Sequence, residues 1–267
     1  MAAIKPMEQF LIQRLPWFPP LGANIPGLGH IDLSITNAVA TMLGLALLIC
    51  AVFLAAARGR VVPGRMQAFG EIVYDLVDKG MTGSMIGDRG RPFLPYILAL
   101  FTLIALMNTW GILPGQFTVT AQLAVTVTLA LLTFALVIAV GFIRNGLGFF
   151  KLFVPPGVHF LMLLFLVPIE MISFMVRPVT LSMRLFGNMI GGHVVLYMFG
   201  SFVVAMAVWA ASKGGFASFG YVGSAMSLAM VVALSALELI VALLQAYVFA
   251  ALACTYLSDV VNLDHGH

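Results

Sequence analysis

After Pro155-Pro156-Gly157 the chain runs through apolar residues almost without a stop to Ala211, about 55 residues in all. A straight helix that long spans roughly 80 Å, whereas the hydrocarbon core of a bilayer is ~30 Å thick. A second apolar run, Tyr221 to Leu257, would reach roughly 55 Å. Either each run breaks into pieces, or both lie strongly oblique and pack as an antiparallel pair about Lys213-Gly214-Gly215. Pro168, Pro178, Gly187, Gly191 and Gly192 offer places to bend, but length favours the oblique pair.

Water is the wrong solvent for this chain. Of 267 residues, 62% are hydrophobic and only 9% charged, against about 25% charged in a soluble domain. No basic run with interleaved aromatics points to nucleic acid. The expected fold is all-α: a polytopic membrane protein with upright spans and two long, strongly tilted, membrane-embedded helices packed antiparallel, near 158–212 and 221–257. Residues 1–36 read as an irregular tail, since Pro16, Pro19, Pro20 and Pro26 exclude a long helix. Residues 37–267 then form a single membrane domain, with upright spans near 37–57, 93–113 and 117–143. Between the first two spans, Phe69, Ile72, Val73, Leu76 and Val77 recur at helical spacing among Glu71, Asp75 and Asp78. This predicts an amphipathic helix over 66–79, lying on the membrane surface or in a soluble loop.

The basic residues orient the chain. Arg58, Arg60, Arg65, Lys79, Arg89, Arg91, Arg144 and Lys151 fall on one side of these spans, and Lys5, Arg14 and Lys213 on the other. Eight against three puts the first group in the cytoplasm, with the N-terminus outside and the C-terminus inside. The N-terminus resembles neither a signal peptide nor an Arg/Ser-rich transit peptide. A bacterial plasma membrane is therefore favoured, with a mitochondrial inner membrane as the alternative. Cys50 and Cys254 sit in apolar runs and read as small buried hydrophobes. His30, His159, His265 and His267 have no metal-ligand pattern, and Asp32, Asp259 and Asp264 read as solvated flank charges.

The two remaining basic residues lie inside the long apolar run, where a charge is costly and marks function by default. Glu170, Arg177 and Arg184 are seven residues apart, nearly two helical turns, and so form one slowly drifting stripe. Asn188 lies close to that face, whereas His193, nine residues beyond Arg184, points elsewhere. Glu238 and Gln245 are also seven apart. Antiparallel pairing about residue 214 predicts a His193/Glu238 pair beside an Arg184/Gln245 pair. Asn188 and Gln245 also fit interhelical hydrogen bonding alone. Arg177, next to Pro178, fits either a site role or snorkelling to an interface.

The stretch RPVTLSMRLFGNMIGGH, Arg177 to His193, resembles the signature of the a subunit of rotary F-type ATP synthases. ELIVALLQAYVFAALACTYL, Glu238 to Leu257, is similar to that family's last helix, and GILPG to its mid-chain turn. The resemblance implies that Arg184 is the essential arginine facing a rotor ring of c subunits, with Asn188 and Gln245 beside it. It implies that His193 and Glu238 line an inlet half-channel and that Glu170 belongs to the outlet. It implies as partners the ring, the b subunits of the peripheral stalk, other synthase subunits and the lipid bilayer. Some relatives carry an aspartate before the mid-chain Leu-Pro; Gly111 stands there in this chain, leaving Asn108 as the nearest polar candidate on the second span.

No G-x-x-x-x-G-K loop occurs, so the chain is not expected to be catalytic on its own, and no cofactor is expected. One rival is a self-contained ion-coupled transporter, though the internal repeats common in such folds are not evident. Another is an intramembrane hydrolase using Ser182 or Ser201 with His193, though no G-x-S-x-G elbow frames either serine.

Overall fold

The computed structural model describes residues 22–25, 29–32, 36–57, 64–113, 116–154, 160–213 and 219–262. Within the tail expected to be irregular, Gly22–Ile25 (β1) and Gly29–Asp32 (β2) pair antiparallel, with Gly22 opposite Asp32 and Ile25 opposite Gly29. Prolines exclude a long helix there but not a four-residue ladder. The rest of residues 1–35, and His159, His265, His267 and Asp264, lie outside the described residues.

Helix α1, Asn37–Ala56, starts at Thr36, whose hydroxyl accepts from the Val39 amide. It satisfies a donor that the first turn would otherwise leave open. Helix α2, Arg65–Val77, matches the amphipathic segment. Its Gly70 is buried close to Ala56 of α1, while Phe69, Ile72 and Leu76 stay exposed. The expected end at residue 79 is too early. The chain continues as a π turn, Asp78–Thr82, and a short α3, Gly83–Met85, because Met81 and Thr82 are drawn inward and fully buried. On the outer side Lys79 donates to Asp75 at 2.6 Å, and that bond and charge hold its pKa above the ordinary lysine value. Gly87, at φ +77°, ends this stretch in a conformation that side chains rarely adopt.

Helix α4, Leu94–Ile112, agrees with the second span. The third span begins later than expected. Residues 117–122 do not start the helix but tuck inward around a 3-10 turn, Val119–Ala121, and α5 runs only from Leu123 to Asn145. Thr118, Val119, Thr120 and Ala121 are all buried. Hydropathy cannot separate apolar residues that tuck inward from those that start a helix.

The two long runs are each one helix, α6 over Phe160–Lys213 and α7 over Phe219–Val261. None of the candidate bend points interrupts α6. Partners run in opposite order along the two: Arg177 meets Asp259, Asn188 meets Gln245, His193 meets Glu238, and Ser224 donates to the Val203 carbonyl. The core lies where the second half of α7 enters the bundle. There Ala246, Phe249, Ala250, Ala253, Cys254 and Leu257 are buried against α4 and α5. Alanines let the backbones approach closely, the packing that works when lipid offers no hydrophobic driving force. A 3-10 turn at Gly146–Phe153 sets Phe149 and Phe153 edge-on to Phe174 of α6, at centroid distances of 6.1 and 5.4 Å. Cys254 is buried as expected, but Cys50 is exposed on α1.

Among the described residues, five helices are long and apolar enough to cross a membrane: α1, the segment Asp88–Ile112 containing α4, α5, the bulk of α6, and α7. At 54 residues α6 is about 80 Å long. Kept within a ~30 Å core, it must lean far beyond the ~20° average tilt. A density map of the protein in its bilayer should show α6 and α7 strongly oblique; both helices standing near the membrane normal would refute this.

Candidate functional site

Three clusters lie in sequence along the seam between α6 and α7. At one end, Arg177 places Nη1 3.0 Å from Asp259 Oδ2 and Nη2 3.9 Å from Glu170 Oε1. Its guanidinium also sits over the rings of Phe174 and Tyr256, at 5.3 and 4.8 Å. An arginine with carboxylate and ring partners is anchored rather than snorkelling. Asp259, read from sequence as a solvated flank charge, is instead its main partner. The signal was present: Asp259 extends the seven-residue spacing of Glu238 and Gln245 by two further steps, which keeps it near the same face of α7.

In the middle, Asn188 Nδ2 donates to Gln245 Oε1 at 2.8 Å. The expected Arg184/Gln245 pair does not form. The partner of Gln245 is one turn further along α6, because the register of the two helices differs by a few residues from pairing about 214. Arg184 is exposed on α6 and makes no hydrogen bond or ion pair among the described residues. On a helix of membrane length a bare guanidinium facing hydrocarbon is costly unless a partner meets it.

Further along, His193 Nε2 lies 3.7 Å from Glu238 Oε1, and both side chains are buried. The carboxylate can come this close to α6 because residue 192 is glycine: a Cβ there would stand 2.7 Å from Glu238 Oε1. Gly192 was read only as a possible bend, yet it forms the seat of Glu238. The same ring nitrogen has a second neighbour, Thr118 Oγ1, 3.1 Å from Nε2. Thr118 was missed, although a hydroxyl three residues after GILPG was a usable signal. From α4, Asn108 Nδ2 donates at 3.1 Å to the carbonyl of Ala242, which lies between Glu238 and Gln245. The second span therefore braces the polar part of α7.

Several buried polar atoms here have no hydrogen-bond partner among the described residues: Asn108 Oδ1, Thr120 Oγ1, both Glu238 oxygens and Gln245 Nε2. Buried polar groups are normally satisfied, so a cluster of open ones marks a place suited to water. Beside Glu238 a groove of about 250 Å³ runs between α6 and α7, lined in part by Asn188, Gly191 and Gly192. The rival nucleophiles are occupied differently. Ser182 and Ser201 donate to the Val179 and Met198 carbonyls of their own helix.

A protein-family profile described as ATP synthase A chain matches residues 38–258. The chain belongs to that family. Among its relatives is an ATP synthase subunit a from Rhodopseudomonas palustris (strain BisB18), 43% identical over 98% of this chain and 100% of the relative. The subunit from Mesorhizobium japonicum is also 43% identical, over 98% of each chain. That from Xanthobacter autotrophicus is 42% identical over 98% of this chain and 99% of its own.

Within this member of the ATP synthase A chain family, the seat at Gly192 makes a direct test. Gly192→Ala should expel the Glu238 carboxylate from beside His193 while leaving both helices formed. A side-chain-resolution map of the purified variant would reveal it. A carboxylate still 3.7 Å from Nε2, as in the parent, would mean that the seat is not needed.

Proposed function

We propose that this chain is the proton-conducting stator subunit of an F-type ATP synthase in a bacterial plasma membrane. It works against a rotor ring of c subunits and is held by the b subunits of the peripheral stalk. The carrying observation is Arg184: a charge exposed on an apolar helix, one turn from the Asn188–Gln245 bond. Family membership and five membrane-length helices support the same reading.

On this reading a ring carboxylate crosses lipid only when neutral, because a bare charge there is too costly. Meeting Arg184, it becomes an anion stabilised by charge pairing. Protons reach the ring through His193 and Glu238 from outside, with the groove beside Glu238 as the last stretch toward the rotor. They leave past Glu170 to the cytoplasm. Glu170 sits 3.9 Å from Arg177, so the outlet acid has a fixed cation at hand while Asp259 takes most of that cation's attention. Arg184, standing between inlet and outlet, blocks a proton from passing straight across. Nucleotide chemistry belongs to other subunits. Five membrane-length helices among the described residues, with the charge bias, support an N-terminus outside and a C-terminus in the cytoplasm.

Membrane vesicles carrying the assembled complex, energised with ATP and followed with a pH-sensitive dye, test the arginine. Arg184→Ala should abolish acidification. Arg184→Lys should also be severely impaired, because a buried ammonium loses its proton more readily than a guanidinium. Near-normal acidification by Arg184→Ala would remove the arginine from the mechanism. In the same assay, exchanging the pair, His193→Glu with Glu238→His, should pump better than either single change. A double variant no better than the worse single one would refute coupling between the two groups.

A further inference from the structure

We infer that Thr118 is a positioning residue for His193, a hydroxyl rotor that gives the imidazole Nε2 a partner in both of its protonation states. This rests on the reading of His193 and Glu238 as the inlet pair. Thr118 belongs to none of the long helices. It lies in the buried connection between α4 and α5, held over the end of α4.

The geometry gives its single hydroxyl two neighbours. Oγ1 lies 3.3 Å from the Gly111 carbonyl oxygen and 3.1 Å from His193 Nε2. A threonine hydroxyl has one proton to give and lone pairs to accept with, and it turns to suit its surroundings. When Nε2 carries a proton, the hydroxyl donates to Gly111 and accepts from Nε2. When Nε2 is bare, the hydroxyl proton swings across and donates to it. Both states leave the nitrogen satisfied in a buried site, where an open polar atom is expensive.

That rotation matters for transfer to Glu238, whose Oε1 is 3.7 Å from Nε2, outside hydrogen-bond length. The step starts from an imidazolium and a carboxylate. The Nε2–H bond breaks and an O–H bond forms on Glu238, leaving a neutral imidazole protonated at Nδ1 and a neutral carboxyl group. Nε2 is then bare, and the Thr118 hydroxyl rotates from the Gly111 carbonyl to cap it. In the reverse step it swings back. With Thr118 holding Nε2 at 3.1 Å, the histidine is kept from locking onto Glu238 and stays able to receive the next proton.

The hydroxyl reaches this place only because residue 111 has no side chain. A Cβ on Gly111 would stand 2.7 Å from Thr118 Cγ2 and 3.2 Å from its Oγ1. Gly111 and Thr118 thus act together: the glycine vacates the space that the threonine fills, and its carbonyl is the hydroxyl's alternative acceptor. Asn108, three residues earlier on α4, braces α7 through Ala242 from the same side.

The test uses the intact complex in membrane vesicles, with passive proton flux measured after the catalytic head is stripped off. Co-purification of the ring fixes how much complex is assembled. Thr118→Val keeps the shape and removes the rotor, so flux per complex should fall by about five- to tenfold, the rate equivalent of one buried neutral hydrogen bond. Thr118→Ser keeps the rotor and should retain most of the flux. Gly111→Ala should lower flux by pushing Thr118 aside, and adding Thr118→Ser, which lacks the colliding methyl, should recover part of it. That second arm decides the matter if the valine variant fails to assemble. Equal losses in the valine and serine variants would mean that Thr118 only packs, and overturn the inference. His193→Ala is the control. Unchanged flux there refutes the inlet reading itself, whereas a loss there with normal flux in Thr118→Val refutes only the role of Thr118.

Discussion

An ionisable side chain in hydrocarbon is stable only where something compensates it, and the seam between α6 and α7 is where this chain supplies that compensation. Neither helix could carry its polar residues alone. Arg177 has Asp259, Glu170 and two aromatic rings; Asn188 has Gln245; His193 has Glu238 and Thr118. The pairings that cross the seam join residues far apart in sequence, so the antiparallel register of two very long helices must be held to within a turn. Arg184 is the exception, with no hydrogen bond or ion pair among the described residues, and on the proposed reading that deficit is met by the rotor ring.

The remaining elements hold that register. The second half of α7 is clasped by α4 and α5 through alanines and Phe249, and the aromatic cluster of Phe149, Phe153 and Phe174 ties the start of α6 to the end of α5. Asn108 and Asn145 donate to the α7 carbonyls of Ala242 and Val260 from these neighbouring helices. By contrast, much of α6 and the first half of α7 expose large apolar side chains such as Ile172, Val179, Leu237 and Ile240. A surface so apolar must be covered by lipid or by a partner. The chain is thus closely packed where it meets its own bundle and exposed where Arg184 stands.

The membrane-length helices and most side chains of the candidate site were legible in sequence, because apolar length and seven-residue spacing both survive without tertiary information. Glu170, Arg177 and Arg184 stood out as charges where hydrocarbon forbids them, and Glu238 opposite His193 followed from counting along an antiparallel pair. Counting failed where a few residues of register mattered, giving Gln245 to Arg184 instead of Asn188. It failed too where a residue's role depends on a neighbour distant in sequence. Gly192 looks like a hinge until the Glu238 carboxylate lies against it, and Thr118 looks like the start of a span until the connector folds inward. Asp259 looked solvated because it lies at the end of an apolar run, although its spacing from Gln245 marked it as part of the stripe.

The central claim is that the uncompensated Arg184 is completed by a carboxylate from the rotor. A side-chain-resolution map of the intact membrane sector, rotor ring included, measures this directly. The account predicts that the ring packs on the exposed face of α6 with one of its carboxylates within about 6 Å of the Arg184 guanidinium, close enough to favour the charged form of both. A ring seated against any other surface, with Arg184 turned toward lipid, would contradict it.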